Sequence, residues 1–301
     1  MFDTVLVPAD GSDHTVRAAE HGAAIAEAFD ATLHVITVVD HRAAAGPFDT
    51  GGLREEFLDR LEADAEDIVD AVAKAVDASQ GLQTAVRSGD PVDEILDYAA
   101  DHEIDLVAMG THGRTGVERY VMGSVTEQVV RRAGVPVLSV RVTEASRRAD
   151  AYDEIMIPTD GSESADAAVE PALELATRFD ARVHAVHVLN VGDADVGVEH
   201  PESTALLDRL RAHGERAVEG VADRAREAGV DVVTNVDGGY PAAGILEYAD
   251  ANDVDCIAMG TAGRTGLNRF LLGSTTERVI RHTDVPVLAV NARDDGEDGS
   301  N

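Results

Sequence analysis

The chain has 301 residues, enough for two domains of ordinary size, and its 44% hydrophobic content excludes wholesale disorder. Asp and Glu number 57 against 25 Lys and Arg, a formal net charge of −32, so neither nucleic acid nor an anionic membrane surface is expected as a partner. Lys74 is the sole lysine. Such a surface reads either as one built to stay hydrated at high salt, as in a halophile, or as that of an ordinary acidic protein.

The first residues, Met1-Phe2-Asp3-Thr4-Val5-Leu6-Val7, have no basic flank and no long apolar run, so no signal peptide is expected there. Thr4–Val7 reads as a buried strand ended by Pro8. Residues 13–29 are Ala-rich and read as a helix with Ser12 as its N-cap. Leu33–Val39 reads as a second strand, followed by a loop bearing Gly46-Pro47. Leu53–Ala78 carries a long helical pattern, and Leu82–Val86 reads as a third strand. Pro91 suits the first position of a helix through Tyr98, with Asp90 as its cap. Ile104–Met109 reads as strand four, Ser124–Arg132 as a helix and Pro136–Val140 as strand five.

The order then repeats. Val5-Leu6-Val7-Pro8-Ala9-Asp10-Gly11-Ser12 returns as Ile155-Met156-Ile157-Pro158-Thr159-Asp160-Gly161-Ser162, at an offset of 150. Over residues 105–140 about 21 of 36 aligned positions are identical, far beyond chance. Two homologous domains are therefore expected, over 1–143 and 152–293. A charged linker fills 144–151, and an acidic, Gly-bearing disordered tail fills 294–301. Cys256 is the single cysteine, so no intrachain disulfide forms, which suits a reducing, cytoplasmic compartment. It aligns with Leu106 inside strand four and reads as a small core residue. No apolar stretch approaches the roughly 20 residues that span a bilayer.

Strict alternation of apolar strands and helices implies an α/β fold: two tandem doubly wound domains, each a five-stranded parallel sheet covered on both faces. Such sheets bind ligands outside the carboxyl ends of their strands, at the switch point in strand order. The loops after strands one and four should face that place. The strand-four loops read Gly110-Thr111-His112-Gly113-Arg114-Thr115-Gly116 and Gly260-Thr261-Ala262-Gly263-Arg264-Thr265-Gly266, and they close on Gly123-Ser124 and Gly273-Ser274. Glycines let main-chain N–H groups approach a ligand, and a helix start adds donors and the positive dipole end, a natural place for phosphate. Arg114, Arg119, Arg264 and Arg269 are nearby positive charges. Two alternatives need no ligand: glycines that serve the turn alone, and a capping box, which Ser124 with Glu127, or Ser274 with Glu277, fits.

Gly, two residues, Gly, nine residues, Gly, Ser resembles the ATP-binding signature of the universal stress protein family. Gly110, Gly113, Gly123 and Ser124 match it, as do Gly260, Gly263, Gly273 and Ser274. The strand-one ends at Pro8–Ser12 and Pro158–Ser162 are also similar, and the likeness covers nearly all of both halves. The resemblance implies a Rossmann-like fold of the adenine nucleotide alpha hydrolase type, binding ATP, ADP or AMP, with Mg2+ or Mn2+ accompanying the phosphates. In the first half it implies contacts from Pro8, Ala9, Asp10, Gly11, Ser12, Val39, Met109, Gly110, Gly113, Arg114, Gly123, Ser124, Val125 and Thr126. In the second it implies Pro158, Thr159, Asp160, Gly161, Ser162, Leu189, Met259, Gly260, Gly263, Arg264, Gly273, Ser274, Thr275 and Thr276. Asp10 and Asp160 would lie beside the adenosine or a divalent metal, and the backbone of Val39 and Leu189 would meet the adenine edge. Asp10 reads equally as a turn or cap residue. His112 has Ala262 as its counterpart and reads as a solvated loop residue.

Three function classes follow. The first is a stress-response module that binds or signals through one adenine nucleotide per half. The second is a slow ATPase or other ATP-using enzyme. No Gly-Lys pair occurs, so there is no P-loop. The third, a phosphorelay receiver, needs a lysine near strand five, where Arg141 and Val290 stand instead. By resemblance to single-domain relatives, the two halves are expected to pair through Val137, Leu138 and Val140 with Val287, Leu288 and Val290, and a further homodimer is open.

The charge alone generates a test. Raising NaCl from 0.1 to 2 M shortens the screening length from about 10 Å to under 3 Å. The thermal midpoint is expected to rise by many degrees. A midpoint that stays level or falls would show that self-repulsion does not govern stability.

Overall fold

A computed structural model describes residues 2–40, 51–76, 81–111, 122–147, 152–190, 201–261 and 272–292, without the side chains of 51–58 and 201–204. The chain divides into two compact units. One is Met1–Ala151 with Ile280–Val287; the other is Tyr152–Val279 with Leu288 onward.

The first half runs β1 (Thr4–Ala9), α1 (Asp13–Phe29), β2 (Thr32–Val39), α2 (Gly51–Ala75), β3 (Leu82–Ser88), α3 (Pro91–Asp101), β4 (Leu106–Gly110), α4 (Ser124–Arg132) and β5 (Val137–Val140). Its strands lie in the order β3-β2-β1-β4-β5, and the pairs β1–β2, β1–β4, β2–β3 and β4–β5 are parallel. Helices α1 and α2 cover one face, and α3 and α4 the other. Central strands buried on both faces must be apolar throughout, and Val5, Leu6, Val7, Leu106, Val107 and Ala108 are all fully buried. Order reverses between β1 and β4, so the switch point lies at their carboxyl ends.

The second half repeats this as β6 (Glu154–Pro158), α5 (Glu163–Asp166), α6 (Val169–Phe179), β7 (Arg182–Asn190), α7 (Pro201–Glu227), β8 (Val232–Gly239), α8 (Pro241–Ala251), β9 (Cys256–Gly260), α9 (Ser274–His282) and β10 (Val287–Val290). The order is β8-β7-β6-β9-β10. Where the first half has one helix, α1, the second has two. Pro171 stands where the first half has His21, and a proline near a helix start removes an N–H and crowds the preceding turn. Cys256 is fully buried, and burial pushes its thiol up to about 12, so it stays protonated at neutral pH.

Two expectations need correction. Pro8 does not end β1, which continues to Ala9 with Pro8 opposite Ile36. The carbonyl of Asp3 faces β2 and that of Thr4 faces β4, so alternation turns Pro8 toward β4. The pairing there is Val5–Leu106 and Leu6–Val107, so the missing N–H removes no ladder bond. The long helix begins at Gly51 and ends at Ala75 rather than spanning 53–78. Within the stretch expected as the linker, Ala145–Arg147 forms a 3₁₀ turn, and Ser146 in it is fully buried. Arg17 Nη1 and His21 Nε2 both donate to the Ser146 carbonyl, at 3.2 and 2.9 Å. The residues of the Gly46-Pro47 loop and the C-terminal tail lie outside the described set.

His21 makes the fold sensitive to pH. Burial lowers its pKa from the ordinary 6.5 to about 4; the bond to Ser146 opposes the shift, and nearby Arg17 adds to it. The folded state thus keeps His21 neutral where the unfolded chain takes up a proton. Stability contributed by the neutral ring is complete above pH 6.5 and declines as pH falls toward 4, by about 3 kcal/mol at most. Urea midpoints at pH 7 and 4.5, compared between wild type and His21→Gln, should show a steeper loss in the wild type. Equal slopes would contradict this role.

Candidate functional site

Each half has a cavity at the carboxyl ends of its strands. The first, about 290 Å³, is bounded by Pro8, Ala9 and Asp10 after β1, Met109 and Gly110 at the end of β4, and residues 123–126 at the start of α4. The second, about 510 Å³, is bounded by Pro158, Thr159, Asp160, Met259, Gly260 and residues 273–276. The architecture brings the segments after strands one and four together in both halves.

The helix start forms one wall of each cavity. Gly123 is the N-cap of α4, and no side chain caps the helix. The first intrahelical bond runs from Glu127 N to the Gly123 carbonyl. The expected capping box therefore does not form. Ser124 is the first helical residue, one position too late to cap, and Glu127 pairs with Arg131 at 3.7 Å instead. Helix α9 also starts one residue after its glycine, with Glu277 N bonded to the Gly273 carbonyl. Residues 124–126 and 274–276 of the first helical turns line the cavities, where a helix carries its unpaired N–H groups and the positive end of its dipole.

Two bonds hold this wall to the sheet. Gly123 N donates to the Thr111 carbonyl at 2.7 Å, and Thr126 Oγ1 donates to the Gly110 carbonyl at 2.7 Å. The second half repeats them, from Gly273 N to Thr261 at 2.7 Å and from Thr276 Oγ1 to Gly260 at 2.8 Å. The hydroxyl protons of Thr126 and Thr276 thus serve the scaffold.

The strand-one loop is also self-organised. Asp10 Oδ1 accepts from Ser12 N at 3.0 Å and from Thr15 Oγ1 at 2.6 Å; Asp160 Oδ1 accepts from Ser162 N at 3.0 Å. Gly11 and Gly161 have φ of 79° and 74°, the left-handed region that favours glycine. Ser12 and Ser162 accept from Thr15 N and Ala165 N as N-caps. These four residues build the turn and do not line the cavity, whereas Asp10 and Asp160 do both.

Val39 also stands off the wall of the first cavity, and its carbonyl accepts from Gly89 N at 3.1 Å. Val38 lines the cavity in its place, while Leu189 does line the second. Gly113, Arg114, Arg119, His112, Gly263, Arg264 and Arg269 lie outside the described residues. Sequence reasoning missed Thr15, Ile36, Val38, Pro91 and Ile95 in the first cavity. In the second it missed Ala165, Val186, His187, Val188, Asn190, Leu210, His213, Pro241 and Ile245. Period-two alternation along β2 and β7, with the Pro-started helices that follow β3 and β8, would have singled out the apolar members.

Among the described residues, Asp10 is the one ionisable lining group of the first cavity; Asp160, His187 and His213 line the second. No group of three or more His, Cys, Asp or Glu forms a metal cluster among the described residues, and no described helix is long and apolar enough to cross a membrane.

The universal stress protein family profile matches the chain twice, over residues 1–141 and 151–291. A universal stress protein of Methanocaldococcus jannaschii is 42% identical over 140 residues, covering 46% of this chain and 82% of the relative. One from Mycolicibacterium smegmatis is 28% identical over 301 residues, covering 96% and 97%. Among solved structures, a universal stress protein from Archaeoglobus fulgidus shares the fold with a TM-score of 0.69, at 22% identity over 97% of both chains.

Gly110 and Gly260 have a packing duty besides lining the cavity. A Cβ on Gly110 would come within 2.7 Å of His14 Cβ and 2.9 Å of its main-chain carbon, and one on Gly260 would overlap the main chain of Ser164. Gly110→Ala is expected to cost roughly 1–3 kcal/mol, and Gly260→Ala more, because main chain cannot rotate away. Thermal denaturation of both variants checks the order; unchanged midpoints would refute the close approach.

Proposed function

The chain belongs to the universal stress protein family, carried in two tandem copies, and we propose that each copy binds one adenine nucleotide in its own cavity, ATP first among them. The observation that carries this is a helix that starts directly after a glycine at the edge of a cavity in both halves, with no side-chain cap on α4. Phosphate oxygens would meet the N–H groups of residues 124–126 and 274–276, and Ser124 and Ser274 add hydroxyl donors. The apolar side chains Ile36, Val38, Ile95 and Met109, with Val186, Val188, Ile245 and Met259, offer a surface suited to a purine ring. A Mg2+ or Mn2+ ion would arrive with the phosphates.

On this reading the protein is a cytoplasmic stress-response module that works through its bound state, in a salty solvent. The acidic surface supports the last point. At −32 no general positive field gathers a nucleotide, so the attraction must be local, from main-chain dipoles, and salt must screen the rest. The alternative, an ATP-using enzyme, would use Asp10 or Asp160 beside the adenosine or a divalent metal.

Titration with a fluorescent ATP analogue in 2 M NaCl should saturate at two per chain, and Gly123→Leu should remove one site and leave the other. No binding at millimolar nucleotide by the folded chain would refute the proposal. Multiple turnovers per second, abolished by Asp10→Ala, would establish the enzymatic alternative.

A further inference from the structure

One histidine in each half is bonded to the helix that walls its cavity. His34, Ile36 and Val38 alternate along β2 and so share the sheet face that α3 covers, while α1 and α2 pack on the other. His34 is 2% exposed, and its Nδ1 lies 3.0 Å from the Tyr98 hydroxyl of α3. Tyr98 stands one helical turn beyond Ile95, and Ile95 and Pro91 line the first cavity. The second half repeats the bond, from His184 Nδ1 of β7 to the Tyr248 hydroxyl of α8 at 2.9 Å, with Ile245 and Pro241 on the cavity wall.

The bonds are alike, but the charges around them are reversed. In the second half Glu154 of β6 accepts from His184 Nε2 at 2.6 Å, and Arg182 Nε and Nη2 donate to the same carboxylate at 2.9 and 2.5 Å. Burial opposes it, yet the bonds from Arg182 and His184 hold the Glu154 carboxyl below its usual range. The repeat offset puts Thr4 and Thr32 at the places of Glu154 and Arg182. Thr4 Oγ1 donates to the Glu103 carbonyl at 2.6 Å, and the nearby Asp105 carboxylate accepts from the main chain of Asp3 and Thr4. Among the described residues no carboxylate bonds to the His34 ring. Its α3 neighbours are Tyr98 and His102, whose rings stack at 4.0 Å, and the His102 centroid lies 5.6 Å from that of His34. From β3, Arg87 sits 5.1 Å over the Tyr98 ring and pairs with Asp101 at 4.0 Å. The counterparts of Arg87 and His102 are Asp237 and Asn252, so two basic residues give way to an acidic and a neutral one.

A proton on His34 therefore puts charge on a buried ring beside basic groups, with no carboxylate to receive it. Burial and the charge of His102 hold the ring below its ordinary 6.5. The folded state keeps His34 neutral where the unfolded chain binds a proton. What the ring contributes is thus complete above pH 6.5 and declines as pH falls.

We propose that His34 is a positioning residue of the first cavity, acting through Tyr98 on the α3 wall, and that acid releases this wall while Glu154 keeps the α8 wall of the second cavity in place. Acidification then loosens the first site and spares the second. The effect on affinity rests on the nucleotide reading above; the release of the wall does not.

Amide hydrogen exchange of the ligand-free full chain at pH 7.5 and 5.5, corrected for intrinsic rates, reads both walls. Protection over residues 95–101 of α3 should fall at least about tenfold more than over residues 245–251 of α8. Thr4→Glu with Thr32→Arg copies the second-half pair, leaves His21 untouched and should remove the difference. Glu154→Gln should bring the acid response to α8. ATP affinity should fall at least about threefold more in Gly273→Leu, which keeps the first site, than in Gly123→Leu, which keeps the second. Equal loss of protection in both helices, or a loss in α3 that survives the Thr4 and Thr32 exchange, overturns the proposal. Equal loss of affinity at both sites overturns the positioning role. The expected exchange pattern in a chain that binds no ATP refutes the nucleotide reading and leaves the acid-released wall standing.

Discussion

The architecture turns on a helix that starts directly after a glycine at the edge of each cavity. In α4 and α9 a glycine carbonyl accepts the first intrahelical bond, α4 has no side-chain cap, and the residues of both first turns line the cavity at the carboxyl ends of the sheet. The two bonds from Gly123 and Thr126 to the end of β4, and their counterparts in the second half, hold those helix starts in place. The turns after β1 and β6 face them, each closed by an aspartate that accepts from the main chain two residues on. Donors fixed by the scaffold need no reorganisation when an anion arrives, and that matters most in a chain whose net field opposes anions.

Glycine has two duties in this arrangement. Gly123 and Gly273 place no side chain of their own at the cap position, whereas Gly110 and Gly260 let the first turns of α1 and α5 rest against the ends of β4 and β9. A loop motif read as a phosphate cradle is thus partly a packing motif. The two functions coincide because the same close approach that seals the sheet end also shapes the cavity floor.

The fold was legible because its signals are local and redundant. Apolar strand runs, Ser12 and Asp90 as caps, Pro91 at a helix start and the 150-residue repeat all point to one doubly wound unit written twice. Less legible were features that depend on partners distant in sequence. Pro8 stays within β1 because its N–H side meets no ladder bond, which only the β4 register reveals. Ser124 fits a capping box by spacing and fails because the helix begins one residue earlier than that box requires. Val39 gives its carbonyl to Gly89, and Val38 takes the wall.

The claim that main-chain donors at two helix starts hold the ligand is tested most directly by amide NMR of the full chain in high salt. On adding ATP, the N–H resonances of residues 124–126 and 274–276 should shift furthest and gain protection from hydrogen exchange. Binding that leaves these six amides unchanged, with the shifts confined to arginine side chains or to the exposed helix faces, would contradict the account.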